Sequence, residues 1–199
     1  MSNKNVSSAG VIASDYLLRL QEGIASVNVS ELEAVYDLIS ETRDSKGTVW
    51  ICGNGGSSAT ASHMQVDLSF GVKPAVRARS MSDNAAALTA TGNDVSFERV
   101  FARQLELEGT KEDVLIVISA SGNSQNLVEA VRAANSIGIK TCGFLGFDGG
   151  ALKALVDIAV HTPTRKGDYG IAEDLHGSLN HILKEMLNGF WGNGVPAKP

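Results

Sequence analysis

A chain of 199 residues with 43% hydrophobic and 20% charged residues has the composition of a soluble globular protein and the length to bury a substantial core. Its net charge of −5 and sequence pI near 5.3 exclude a dedicated nucleic-acid surface, which needs clustered Lys and Arg, and leave only contact through a protein partner. Residues 1–10 are polar where a signal peptide would be apolar, and no run of about 18 apolar residues exists to span a bilayer, so the expectation is a cytoplasmic protein without membrane contact.

Leu17, Leu20, Ile24 and Val27 recur at helical spacing, which predicts an amphipathic helix over 11–27 that buries a narrow stripe. Ser30-Glu31-Leu32-Glu33 reads as a capping box opening a second helix to about Lys46, with Leu32, Val35, Leu38 and Ile39 inward. Two such helices either cover a sheet face or pack on a partner subunit. The apolar run Thr48 to Cys52 predicts a first strand, and Ala75 to Met81 a second, with Arg77 and Arg79 on one face. Residues 83–108 read as helix in two pieces, broken at Thr91-Gly92-Asn93-Asp94. Val114–Ile118, Lys140–Leu145 and Ile158–His161 supply three further strands, separated by a helix over 124–137 and a short segment over 150–156. Gly170 to Leu187 forms the last helix. Strands alternating with helices predict an α/β domain with a parallel sheet covered on both sides. The organisation is one domain over 1–199: N-terminal helices to 46, an α/β core over 47–188 and a frayed tail over 189–199. Cys52 and Cys142 each fall in an apolar strand with no C-x-x-C, which predicts a reduced, buried pair.

The first strand breaks into Gly53-Asn54-Gly55-Gly56-Ser57-Ser58, followed by an alanine-rich, proline-free helix that carries His63 and Asp67. Glycines let the backbone approach a ligand, and the N–H groups that open the helix have no intrahelical partner and sit at the positive end of its dipole. The third strand runs likewise into Ser119-Ala120-Ser121-Gly122-Asn123-Ser124. In an open parallel sheet two such loops meet at the carboxyl edge and can share one anion, although ordinary turns use the same residues. Neither loop carries the Gly-Lys-Ser/Thr of a nucleoside-triphosphate loop or the G-x-G-x-x-G of a dinucleotide fingerprint, which points to a small phosphate ester.

These loops, together with Gly92-Asn93-Asp94 and Phe97, Gly146-Phe147-Asp148-Gly149-Gly150, and a final helix bearing Glu173, His176 and His181, resemble the sugar isomerase (SIS) domain family and, within it, the phosphoheptose isomerases. The resemblance implies a flavodoxin-like, doubly wound, five-stranded sheet with two extra N-terminal helices. It also implies a homotetramer whose active sites draw on more than one subunit. A sugar phosphate would bind at Asn54, Gly55, Gly56, Ser57, Asn93, Asp94, Ser119, Ser121, Ser124 and Glu173, and a keto-heptose 7-phosphate would become its aldose through an enediol. Asp67 would be the base and His181 the acid. In some relatives the positions matching His63, Asp67, Glu173 and His181 ligate zinc. The alternative is a non-catalytic module of the same fold, a sugar-phosphate sensor or a replication-initiation adaptor.

His63 and Asp67 are four apart and share a helix face, which is also how a solvated surface pair is written. His176 points away from Glu173 and His181 and reads as structural or interfacial. His161 reads as a strand end, and Asp148-Gly149 as a turn. Three positions depart from the family. Asp67 stands for Glu, withdrawing the carboxylate by about 1.5 Å where about 1 Å of misplacement can cost ~100-fold in rate. Gly71 and Gly170 stand for an Arg and an Asp, for which Lys73, Arg77, Arg165 or Asp168 are the candidate substitutes.

Overall fold

The computed structural model describes residues 8–189, so the tail beyond Gly189 and the polar residues 1–7 lie outside the described residues. Strands β1 (Val49–Gly53), β2 (Ala78–Ser80), β3 (Val114–Ser119), β4 (Lys140–Leu145) and β5 (Ile158–His161) form one sheet of order β2-β1-β3-β4-β5, every neighbouring pair parallel. Both faces are buried, which is why the strands are written as continuous apolar runs. Val49, Ile51, Val114, Ile116 and Ile118 face a core shared with helices α2 (Val29–Asp44), α3 (Gly56–Val66) and α7 (Tyr169–Leu187). Trp50, Cys52, Leu115 and Val117 face the opposite core, against α5 (Ala102–Glu108) and α6 (Gln125–Ile137). The doubly wound α/β expectation holds.

One buried carboxylate fixes the start of β1 against β3. Asp113, 6% exposed, accepts from the Thr48 N–H at 2.7 Å, the Thr110 N–H at 2.8 Å and Trp50 Nε1 at 3.0 Å. Cys52 and Cys142 are both free and fully buried, and burial pushes both thiols up. Among the described residues, no helix is long and apolar enough to cross a membrane.

Four expectations need correction. The first helix, α1 (Ser8–Ala25), forms, but its apolar stripe is only partly covered: Leu17 is 65% and Ile24 51% exposed, while Leu20 is half-buried and Val27, just past the helix, packs against the core. It rests on α7 through Gly23, where any Cβ would strike Leu175, and through Tyr16, whose hydroxyl donates to Asp174 at 2.6 Å. The cap of α2 lies two residues earlier than Ser30: Asn28 accepts from the Ser30 N–H and donates to Glu31, so Asn28 and Glu31 form the capping pair. Helix α4 (Ala85–Asp94) continues through Gly92-Asn93-Asp94, and the break comes after it, at Val95 and Ser96. Strand β2 is only Ala78–Ser80 within the expected run, an edge strand that keeps Ala78 and Ser80 buried and Arg77 and Arg79 outward.

His176 is structural, with its imidazole fully buried against Phe144. Burial lowers its pKa to about 4, opposed by the Leu145 backbone. Between about 6.5 and 4 the unfolded chain binds a proton that the folded chain does not. Its contribution is therefore complete above pH 6.5 and is lost as pH falls toward 4. Urea unfolding at pH 7 and pH 4.5 should show this loss, up to about 3 kcal/mol, and His176→Phe should flatten that part of the pH dependence.

Candidate functional site

The carboxyl edge of the sheet brings the two glycine- and serine-rich loops together. Gly55, at φ +57°, opens α3 in a conformation that side chains resist. Gly53 lets Ser57 close over the strand end, since a Cβ there would sit 2.7 Å from Ser57 Cβ. In the second loop, the Ser119 hydroxyl accepts from the Gly122 N–H at 3.0 Å and Ser121 from the Asn123 N–H at 3.3 Å, while the Ser124 side chain precedes α6 without capping it. The loops are tied by a reciprocal amide pair, Asn54 and Asn126, with both N···O distances 2.9 Å. Between them lies a cavity of about 110 Å³ whose polar lining is Asn54, Ser57, Ser119, Ser121, Ser124, Tyr169 and Glu173. Two helix N-termini aim at it. That is the electrostatics of an anion site.

Glu173 is the discordant group. Its carboxylate lies against Gly56, where a Cβ would overlap it, at the N-terminal end of α3. It favours the helix dipole and repels an entering anion.

A second cluster forms at the far end of α3. The helix stops at Val66, and Asp67 begins a single π-turn over Asp67–Gly71, a form common at functional sites. Asp67 is 4% exposed and His63 and His181 are exposed. Their Nε2 atoms lie 3.5 and 3.9 Å from Asp67 Oδ2, and the rings meet edge to face at 5.1 Å between centroids. Burial would raise the pKa of Asp67. Hydrogen bonds from Lys184 and Asn180, with the charges of Lys184 and His63, outweigh it and hold the carboxyl below its usual range, so it is ionised at neutral pH. The donor atoms of His63, Asp67 and His181 lie within 4.8 Å of one another, and the edges to Oδ2 approach the ~3.4 Å of a tetrahedral zinc set with ~2.1 Å bonds. Three donors with an open fourth position fit zinc. Glu173, expected as a fourth ligand, is not grouped with them: its carboxylate lies against Gly56 at the start of α3.

The profile of the SIS domain matches residues 14–146, more than half of the chain. The chain belongs to the SIS domain family. It is 37% identical over 190 residues to the phosphoheptose isomerase of Helicobacter pylori (strain Shi470), covering 92% of this chain and 97% of that one. Against the phosphoheptose isomerase of Chlorobaculum parvum it is 35% identical over 182 residues, covering 89% and 87%. The solved phosphoheptose isomerase of Neisseria gonorrhoeae superposes with a TM-score of 0.84 at 28% identity, over 92% of this chain and 100% of that one.

Within this SIS domain, Asn93 and Asp94 end α4, exposed and bonded to each other at 2.8 Å, and are not among the residues lining the cavity. Asp67 pairs with His63, His181, Asn180 and Lys184 and with none of the candidate substitutes for the missing Arg–Asp pair. Asp168 pairs with Arg19 of α1 at 2.6 Å, and Arg77 donates to the Lys46 carbonyl. The cation that does reach Asp67 is Lys184. Sequence reasoning missed it, Asn180 and Asn126; for Lys184 and Asn180 the available signal was their spacing around His181, three after and one before it on the same helix. His161 bridges Lys153 and the Phe147 carbonyl, and Asp148 accepts from the Gly150 N–H as a turn residue. Gly177 has open space where a Cβ would be.

Inorganic phosphate titrated by calorimetry should bind the wild-type SIS domain. Ser121→Ala with Ser124→Ala should weaken it on the order of 100-fold, each charge-assisted bond being worth roughly 1.5 kcal/mol or more, and Glu173→Gln should tighten it. Unchanged binding in the double variant would remove phosphate from this cavity.

Proposed function

We propose that this chain acts as a single SIS domain and is an aldose–ketose isomerase, converting sedoheptulose 7-phosphate to a heptose 7-phosphate through an enediol. The observation that carries the reading is that α3 and α7 run in the same direction between the two clusters. Each helix starts at the serine-lined cavity, with Ser57 and Glu173, and reaches the second cluster further along, with His63 and Asp67 or with His181. From Ser57 to His63 is about 9 Å of helical rise, which suits an extended heptose phosphate and exceeds the need of a triose. The phosphate would rest on Asn54, Gly55, Gly56, Ser57, Ser119, Ser121 and Ser124, with Glu173 beside the sugar.

At the other end Asp67, held ionised, takes the proton from the carbon next to the carbonyl through Oδ2, and His181 moves the proton between the two oxygens. As the alternative to that acid–base route, the same atoms of His63, Asp67 and His181 would hold a zinc ion, which would polarise the substrate carbonyl, with Asp67 Oδ2 and His181 then serving as ligands in place of base and acid. The likeness to phosphoheptose isomerases supports this chemistry. The protein is read as a homotetramer in the cytoplasm: Val11, Ile12, Leu17, Leu18 and Ile24 are left exposed along α1, and Asn93 and Asp94 stand outward where they can complete a neighbouring copy's site.

Deuterium exchange in D₂O across a panel of ketose phosphates tests the reaction without knowledge of the product. Asp67→Asn should abolish exchange while leaving phosphate binding intact, and adding His181→Gln should cost little more, because residues acting as a unit are not additive. Retained exchange in Asp67→Asn would place the base elsewhere, and no exchange by the wild type would favour a sensor or adaptor. Elemental analysis after growth in zinc should find up to one ion per site, lost on His63→Ala.

A further inference from the structure

The π-turn that carries Asp67 is fastened to α7 by one polar stripe. Asn180, Lys184 and Asn188 follow at four-residue spacing and so share a face. Asn180 Nδ2 donates to Asp67 Oδ2 at 2.8 Å and Lys184 Nζ to Oδ1 at 2.7 Å. Asn188 holds the end of the same turn, donating to the Gly71 carbonyl at 3.0 Å and accepting from the Lys73 N–H at 3.1 Å.

Gly71 is what admits the lysine. A Cβ at that position would lie 2.8 Å from Lys184 Cε, 3.2 Å from its Nζ and 3.5 Å from Asp67 Oδ1. The lysine stem fills the volume that any side chain at 71 would claim. A carboxylate as buried as Asp67 needs a paired charge and satisfied oxygens. The two imidazoles reach only Oδ2, and at longer range, so Lys184 is the close cationic partner of Oδ1.

We propose that Lys184, seated over Gly71, is the positioning residue of Asp67: its ammonium claims Oδ1 and thereby commits Oδ2 to the side shared by His63 and His181. The inference rests on the isomerase reading for its consequence in catalysis, but the contact stands apart from it. Lys184 acts through Asp67 rather than on substrate. It does not line the phosphate cavity, so its loss should touch turnover and not phosphate affinity.

Two variants displace the ammonium by different routes. Lys184→Met removes the charge and keeps the stem, whereas Gly71→Ala keeps the charge and takes the space. In the deuterium-exchange assay each should lower kcat by about 10- to 100-fold, the effect of a carboxylate misplaced by about 1 Å, with KM within twofold. The double variant should be no worse than the more damaging single. A fall in kcat below tenfold in either variant, or a rise in KM beyond twofold, overturns the proposal. Lys184→Met leaves a buried charge unpaired, and if it fails to fold, Gly71→Ala decides by the same split, since it presses only on the end of a flexible side chain. A wild type that exchanges nothing would sink the isomerase reading and leave the contact to thermal unfolding. There the Tm losses of Lys184→Met and Asp67→Asn should together not exceed the larger single loss, and additive losses would show that the pair is not coupled.

Discussion

A parallel sheet buried on both faces leaves only its strand edges for chemistry, and here that constraint decides where everything else sits. With Val114–Ser119 central and its two neighbours in register, the turn after β1 and the turn after β3 have to emerge side by side. The Asn54–Asn126 amide pair closes the gap between them. Once the turns are adjacent, the helices that follow aim two positive ends at one small cavity, and the serines need no further arrangement to face it. The asymmetry of the sheet does the rest: α3 and α7 lie on the same side of it, so both carry their later residues away from the cavity together.

Much of this could be read from residue patterns. The continuous apolar strands, the loops at Gly53–Ser58 and Ser119–Ser124 and the helical spacing of His63 with Asp67 all depend on local rules, and the structure has them. What escaped were facts of three-dimensional approach. Lys184 is 117 residues from Asp67, and its spacing from His181 puts it near that face of α7 without naming Asp67 as its partner. Glu173 shares the His181 face because eight residues is near a whole number of turns, but its carboxylate lies against Gly56 at the start of α3 and is not grouped with His63, Asp67 and His181, a matter of side-chain direction that periodicity does not carry. The α1 stripe failed for a related reason: amphipathic spacing says that a face is to be covered, not that this chain covers it.

The balance of charge in the site also differs from a simple list of its residues. Asp67 is a buried anion matched by an ammonium, which makes it a fixed, ionised group of low basicity. Glu173 is a carboxylate beside the cavity proposed for the phosphate. On the proposed reading, a phosphate there has to be held by hydroxyls and helix ends strongly enough to offset a neighbouring carboxylate. That requirement explains the density of serine at one spot better than turn preference does.

The two cysteines carry a practical consequence. Cys52 in β1 and Cys142 in β4 lie inside the sheet, and burial disfavours the thiolate that reacts with electrophiles and oxidants. A thiol reagent can label either one only when the helices over its face lift, α5 and α6 for Cys52 and α2, α3 and α7 for Cys142. The rate of labelling is thus a clock for opening of the two helical layers, read once on each face of the sheet, with no probe added to the chain.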